Sequence, residues 1–257
     1  MTTPFVSVIV PAYNQEKTIT KDLKSIYSSL KQIRYPFELV VIVNSPDDRT
    51  FQKTKAFAKK FARVKTFLLP TPGKGQAVRF GMSKAKGDYI AFIDAGMEID
   101  PNGISMLMEH LEWYQADIIV GSKRHLASQV DYPLIRRFLS FGYYRLVKFL
   151  FGFKVSDTQA GIKIFRRQVL KKVLPYLTVN HYAFDIEMLA IAYRLGFRRI
   201  FDAPIKLSYS FAGITNAATL KAIFQMLVDT LKVFYRLKLL PSTPGVAKAK
   251  HLKLIKS

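Results

Sequence analysis

The stretch Phe5-Val6-Ser7-Val8-Ile9-Val10-Pro11-Ala12-Tyr13-Asn14-Gln15-Glu16 opens the fold. Its first six residues are a mostly apolar, β-branched run ended by Pro11, the pattern of a short buried strand. Residues 16–33 then carry Ile19, Leu23, Ile26, Tyr27 and Leu30 at helical spacing. The alternation continues with a strand at 37–43, a helix at 47–62 and a strand at 64–69. After the breaker cluster Pro70-Thr71-Pro72-Gly73 come a helix at 74–86, a strand at 88–93, a helix at 101–114 entered through Pro101, and a strand at 117–120. Strands alternating with helices of this length predict βαβ units, hence an α/β fold with a mostly parallel sheet. Ligands of such sheets bind beyond the carboxyl ends of the strands, which directs attention to residues 11–16, 44–48, 94–98 and 121–125.

Composition narrows the classes. The chain has 257 residues, a formal charge of +22 and no cysteine. Hydrophobic residues at 49% and charged residues at 23% suffice for a packed core, which excludes wholesale disorder and a coiled coil. The absence of cysteine excludes disulfides, zinc–thiolate sites, iron–sulfur clusters and thiol nucleophiles, and fits a reducing compartment. No basic segment precedes the first apolar run and no charge-free apolar stretch reaches about 18 residues, so neither a signal peptide nor a spanning helix is expected. Residues 1–120 hold 16 basic and 12 acidic side chains, whereas residues 121–257 hold 24 and 6. The second set is interleaved with aromatic and aliphatic residues over 134–150 and 220–240, the make-up of helices lying in a headgroup plane. An anionic membrane surface is therefore the expected partner, and core packing of both helices is the alternative. Nucleic acid is not expected, since no recognised binding module is present. Residues 241–257 read as a mobile basic tail.

With Gly73-Lys74-Gly75 and Asp94-Ala95-Gly96 at later strand ends, the segment from Pro11 to Glu16 resembles the opening of family 2 glycosyltransferases. The blocks Gly121-Ser122-Lys123-Arg124-His125-Leu126, Asp157-Thr158-Gln159-Ala160-Gly161-Ile162-Lys163-Ile164-Phe165 and Ala183-Phe184-Asp185-Ile186-Glu187-Met188-Leu189 resemble successive blocks of the polyprenyl-phosphate hexose synthases. The Asp-Thr-Gln-x-Gly block is most similar to the dolichyl-phosphate β-glucosyltransferase branch, with dolichyl-phosphate mannose synthases as near relatives. The resemblance spans roughly residues 5–235. It implies a GT-A fold, Rossmann-like with a mostly parallel central sheet flanked by helices and with peripheral amphipathic helices. The implied organisation is a catalytic domain over 1–216 with an acceptor-side insert at about 131–154, an amphipathic helix at 217–240, and the tail. The implied activity is inverting transfer of a hexose from a nucleotide sugar of the UDP-glucose or GDP-mannose kind to a polyprenyl or dolichyl phosphate. The implied location is peripheral, on the cytoplasmic face of a membrane.

Residue by residue, the resemblance places Pro11, Ala12, Tyr13, Glu16, Asn44, Lys74, Asp94, Ala95 and Gly96 along the nucleotide sugar. It places Mg²⁺ or Mn²⁺ on Asp94 and Glu98, and the acceptor phosphate on Lys123, Arg124, Arg136 and Ser140. Asp94, Asp157 and Gln159 are the implied catalytic group, the last two holding the donor sugar. The chemistry suits these types. A diphosphate leaving group gains charge as the glycosidic bond breaks, so a divalent cation or fixed positive charge is needed beside it.

Several positions depart from the family pattern. The usual Asp-x-Asp is Asp94-Ala95-Gly96 here, and Glu98 either restores a carboxylate or is a helix-entry charge before Pro101. The usual base-recognising Asp is Asn44, which both donates and accepts. Lys74 either reaches a phosphate or is a turn lysine. Lys123 stands for an Arg, losing the bidentate fork that Arg124 supplies next door. Asp185 and Glu187 lie at a helix start, where capping competes with a site role. Ser208-Tyr209-Ser210-Phe211-Ala212-Gly213 lacks the Arg of the mannose-synthase branch. A phosphate acceptor is a dianion above about pH 6 and needs no base; a saccharide hydroxyl would need one, with Asp157 the candidate. A non-catalytic membrane-surface protein is the remaining alternative. A dinucleotide oxidoreductase is disfavoured because Val78 replaces the third glycine of that fingerprint.

Overall fold

The structure, a computed structural model, describes residues 3–45, 47–130, 134–207 and 220–239; the side chains of 134–139, 220–222 and 239 are not among them. The strands are β1 (Val6–Ala12), β2 (Phe37–Val43), β3 (Val64–Leu68), β4 (Tyr89–Ile93), β5 (Ile118–Ser122), β6 (Gln129–Val130), β7 (Ile162–Arg166), β8 (Ile200–Pro204) and β9 (Lys206–Leu207). The helices are α1 (Ile19–Gln32), α2 (Thr50–Lys60), α3 (Lys74–Lys84), α4 (Gly103–Trp113), α5 (Leu134–Phe151), α6 (Arg167–Val173), α7 (Phe184–Arg194) and α8 (Leu220–Phe234).

Among the described residues, seven strands form one sheet in the order β3-β2-β1-β4-β7-β5-β8, and β6 pairs with β9. All neighbours in the large sheet run parallel except β7, which is antiparallel to both β4 and β5. The expected α/β fold and mostly parallel sheet are present, and the strand expected at 37–43 falls on those residues. The first strand runs two residues past its expected end, through Pro11 to Ala12. Val6 N–H and Ala12 C=O both bond toward β2, so alternate residues of β1 face that strand and Pro11 faces β4. Pairing with β4 stops at Ile9, so the N–H that proline lacks falls where no ladder needs it.

The sheet separates two cores. On one face lie α1, α2 and α4, with Ile19, Leu23, Ile26 and Leu30 of α1 inward at i, i+4, i+7 and i+11. On the other lie α3, α5, α6, α7 and α8. The two amphipathic helices are partly core elements. Val147 and Phe151 of α5 and Val233 of α8 are buried, Tyr143 Oη and Thr230 Oγ1 hydrogen-bond at 2.6 Å, and Phe151 meets Phe234 edge-on. Their other faces remain exposed: Phe141, Arg145, Lys148 and Phe149 on α5, and Phe224, Leu231 and Lys232 on α8, with Tyr235 just beyond it. Among the described residues, no helix is long and apolar enough to cross a membrane. The tail expected at 241–257 and the segment 208–213 lie outside the described residues.

Candidate active site

The carboxyl ends of the parallel strands and the start of antiparallel β7 lie along one edge of the sheet, because reversing β7 brings its amino end to where its neighbours finish. That edge collects residues 13–16 after β1, 44–48 after β2, 94–98 after β4, 123–126 after β5 and 157–161 before β7.

At one end of this edge, the β1 and β2 loops are tied together. Asn14 N–H donates to Ser45 Oγ (3.0 Å), Gln15 N–H to Thr50 Oγ1 (2.9 Å) and Glu16 N–H to Asp48 Oδ2 (3.3 Å). Asn14 adopts φ 51°, a left-handed conformation that asparagine tolerates. Pro11 and Ala12 are buried in β1, and Tyr13 is exposed at the mouth. Glu16 turns its carboxylate back onto Arg49 N–H at 3.2 Å, so it closes the loop. Asn44 is buried, and its Oδ1 has no hydrogen-bond partner.

Lys74 and Asp94 meet at 2.7 Å, Nζ to Oδ2. Burial pulls the Lys74 ammonium down, but Asp94 and Asp185 together outweigh it and hold the pKa above the usual lysine value. The glycines flanking Lys74 serve protein packing. A Cβ on Gly75 would lie 2.6 Å from Phe184 Cβ and 2.8 Å from the Val179 carbonyl, and Gly75 N–H bonds the Asn180 carbonyl. The 178–184 loop fills the space beside them. Glu187 anchors this loop, accepting from Thr178 N–H (2.9 Å), Thr178 Oγ1 (2.8 Å) and Val179 N–H (2.9 Å), with Arg236 against the same carboxylate. Asp94 is seated by Gly161, whose carbonyl accepts its N–H at 2.9 Å; a Cβ there would stand 2.1 Å from Asp94 Oδ2.

A cation of the magnesium class takes one or two carboxylates and completes its shell with phosphate oxygens and water. Asp94 fits that donor set, since Oδ1 is buried without a hydrogen-bond partner while Lys74 holds Oδ2. Ala95 is buried, Gly96 and Met97 turn the chain at φ 94° and 56°, and Glu98 follows half-buried. Among the described residues, no three His, Cys, Asp or Glu side chains cluster as a closed metal cage. A cation here would draw most of its ligands from a bound diphosphate.

At the other end, cations converge on one buried carboxylate. Asp157 Oδ2 accepts Lys123 Nζ (2.8 Å) and Lys123 N–H (3.1 Å), and Oδ1 accepts Gln159 N–H (3.2 Å) with Arg124 Nη1 at 4.0 Å. Burial pushes the Asp157 carboxyl up, yet the charge and hydrogen bonds of Lys123, with Arg124, outweigh it and hold it below the usual range. Arg124 also donates to the Ser156 carbonyl (3.1 Å) and Ser140 Oγ (2.7 Å), and its guanidinium lies 5.1 Å over the Tyr144 ring. Ser140 thus joins the cluster, while the Arg136 side chain, one turn earlier on α5, lies outside the described residues. Gln159 directs its amide to the Met226 sulfur on α8. Asp185 and Glu187 do not cap their helix: Glu187 holds the 178–179 backbone, and Asp185 pairs with Lys163 at 2.5 Å. Lys163 lies in the family block Asp157–Phe165, but nothing there singled it out, and its pairing follows from the antiparallel placement of β7.

The family described as Glycosyl transferase family 2 matches residues 7–174. The chain belongs to family 2 of the glycosyltransferases. Over 252 residues it is 30% identical to dolichyl-phosphate beta-glucosyltransferase ALG5D of Trichomonas vaginalis, covering 91% of this chain and 75% of that one. It is 26% identical over 246 residues to the dolichyl-phosphate beta-glucosyltransferase of Dictyostelium discoideum, covering 90% and 74%. The fold matches glucosyl-3-phosphoglycerate synthase from Mycobacterium tuberculosis in complex with UDP, with a TM-score of 0.69, 19% identity and coverage of 93% and 82%. A complex of the same synthase with Mn²⁺, UDP and phosphoglyceric acid matches at a TM-score of 0.66, 19% identity, and 93% and 80% coverage. This family 2 glycosyltransferase therefore has the GT-A fold.

Proposed function

We propose that this enzyme transfers glucose, with inversion, from UDP-glucose to dolichyl phosphate or a related polyprenyl phosphate at a membrane surface. The observation that carries the reading is the pairing of two unlike clusters along one edge of the sheet: Lys74–Asp94 in one, and Lys123 and Arg124 around Asp157 in the other. The first end suits the donor diphosphate. Lys74 neutralises part of its growing charge, Asp94 Oδ1 is available to a divalent cation, and that cation when bound supplies further charge to the leaving group. The orphan Asn44 Oδ1 suits an N–H of the base, since an unmade hydrogen bond to a buried acceptor costs about 1–3 kcal/mol.

The second end suits a phosphate monoester held by Lys123 and Arg124, with Arg136 one helical turn before Ser140. An acceptor oxygen attacks the anomeric carbon as the bond to the nucleotide diphosphate breaks. The acceptor is a dianion above about pH 6, so no proton need be removed. Asp157 has both oxygens engaged and a depressed pKa, which suits an organiser of the acceptor cations and not a general base; this weighs against a hydroxyl acceptor. Catalytic contact is assigned to Asp94, with Asp157 and Gln159 shaping the floor.

Membrane contact is assigned to the exposed faces of α5 and α8, where Phe141, Arg145, Lys148 and Phe149 recur at i, i+4, i+7 and i+8. Leu126, fully exposed on the turn after Lys123 and Arg124, extends that surface to the acceptor end.

The test incubates the purified protein with UDP-glucose, GDP-mannose or other nucleotide sugars and dolichyl phosphate, with Mg²⁺, Mn²⁺ or chelator. Glucosyl lipid from UDP-glucose is expected, and chelator is expected to suppress it. No lipid-linked product from any donor refutes the reading, and full activity in chelator refutes the cation.

A further inference from the structure

Between the two clusters at the strand ends lies a buried ion pair that the proposed chemistry does not use. Lys163 of β7 is fully buried; its Nζ donates to Asp185 Oδ1 at 2.5 Å and to the Ala160 carbonyl at 2.8 Å, and sits 5.1 Å over the Phe92 ring. Asp185 of α7 is equally hidden. Such pairs are poor devices for stability, because desolvating two charges offsets most of their attraction, and well-packed apolar residues often do as well or better. Burial works against both partners here, pulling Lys163 down and pushing Asp185 up.

What the pair touches suggests why it is present. Through the Ala160 carbonyl, Lys163 holds the 157–161 turn. One end of that turn is Asp157, which gathers Lys123 and Arg124; the other is Gly161, which seats Asp94. Through Asp185 the pair reaches α7, whose preceding loop packs on Gly73 and Gly75 at either side of Lys74, and the Asp185 charge acts on Lys74 itself. Charges therefore alternate along the floor from Asp94 and Lys74 through Asp185 and Lys163 to Asp157 and Lys123.

We propose that Lys163 and Asp185 form a positioning pair that fixes Lys74 and Asp94 relative to the 157–161 turn, so that the donor diphosphate meets a preset charge arrangement. The assignment rests on the donor reading given above. The pair does not touch substrate; it acts through Lys74, Asp94 and the turn.

The test compares wild type, Lys163→Met, Asp185→Asn and the double variant Lys163→Met/Asp185→Leu. Thermal unfolding, UDP-glucose binding by calorimetry, and kcat and KM for UDP-glucose and dolichyl phosphate are measured. Lys163→Met strands a buried carboxylate and is expected to lower Tm, whereas the double variant is expected to regain most of it. Tenfold or greater loss of UDP-glucose affinity and of kcat, persisting in the double variant after Tm recovers, supports the assignment. Recovery of Tm together with wild-type affinity and kcat overturns it and leaves the pair a packing element.

If the double variant does not fold, near-isosteric Asp185→Asn decides the matter. A tenfold affinity loss with a native circular dichroism spectrum supports the positioning role, and unaltered affinity overturns it. Failure of the donor reading is seen separately, in the wild type: a chain that neither binds UDP-glucose nor transfers glucose refutes that reading and this assignment with it.

Discussion

In the proposed function, the two clusters at the strand ends hold phosphate in opposite ways. At the donor end one cation, Lys74, faces one carboxylate, Asp94, and an oxygen of that carboxylate is left unpaired. At the acceptor end two cations, Lys123 and Arg124, share the single buried carboxylate of Asp157. The contrast follows the sequence-wide charge, nearly balanced over residues 1–120 and strongly basic beyond them. It also suits the proposed ligands. A nucleotide diphosphate can bring a divalent cation with it, so a protein site with spare carboxylate suits it. A lipid phosphate arrives without such a partner, so the protein must supply the positive charge.

Removing charge at the donor end should break the comparison most sharply. Asp94→Asn frees Lys74 and withdraws the cation ligand. Loss of one preorganised electrostatic contact to a transition state costs about 10²–10³-fold in rate, and a fall of that size in kcat is expected, with KM for dolichyl phosphate little changed. Steady-state kinetics with each substrate varied in turn checks this. Equal damage to both substrates would mean that the two ends are not separable.

Neutralising the acceptor end should have a smaller and complementary effect. Charge-assisted hydrogen bonds are worth about 1.5–3 kcal/mol, so Arg124→Met is expected to lower kcat/KM for dolichyl phosphate by about 10- to 100-fold while UDP-glucose affinity stays near wild type. Lys123→Met removes a charge and also the partner of Asp157, and should do at least as much. The pH profile sharpens the same point. With no enzyme base, kcat/KM for the acceptor should rise about tenfold per unit up to about pH 6 and then level off with the second ionisation of the phosphate. A further rise above that value would point to a protein group that takes a proton, as a hydroxyl acceptor requires.

The donor end was far more legible in the sequence than the acceptor end, for a topological reason. Residues 11–16, 44–48 and 94–98 follow successive parallel strands, so alternation of strand and helix was enough to bring them to one edge. The acceptor end depends on β7 (Ile162–Arg166), whose first four residues end the family block Asp157–Phe165 but carry no periodicity distinguishing a strand that runs backwards. Only its antiparallel placement puts Asp157 beside Lys123 and buries Lys163 beside Asp185. Long-range side chains were illegible for a similar reason. Glu187 and Asp185 read as helix-start acids, and nothing local showed that one would anchor the 178–179 backbone and the other a buried lysine. In α5 and α8 the basic, aromatic composition was visible, but the division of each helix into a core face and an exposed face required the sheet beneath them.

The smallest expected effects concern stability, and their opposite signs test whether the acceptor cations or mere burial govern Asp157. Asp22, in the first turn of α1, is the contrast: it is buried, its Oδ2 is unpaired, and burial raises its pKa. A carboxyl that holds its proton more tightly when folded is a cost at neutral pH, and that cost disappears as pH falls through the raised folded value toward the ordinary one near 4. Asp22→Asn should therefore raise stability at pH 7 by about 1 kcal/mol or less, a Tm gain of about 2–4 °C at most, and the gain should fade on acidification. Asp157 is shifted the other way, because Lys123 and Arg124 overcome its burial. Its ionised form stabilises the fold above about pH 4, and that contribution is lost as pH falls through the depressed folded value. Asp157→Asn should lower stability at pH 7 by about 1–2 kcal/mol, with the difference closing in acid. Scanning calorimetry from pH 7 down to about pH 3 reads both. If both substitutions stabilise, desolvation outweighs the cations at Asp157, and the acceptor end is not held together by the charge pairing that sets it apart from the donor end.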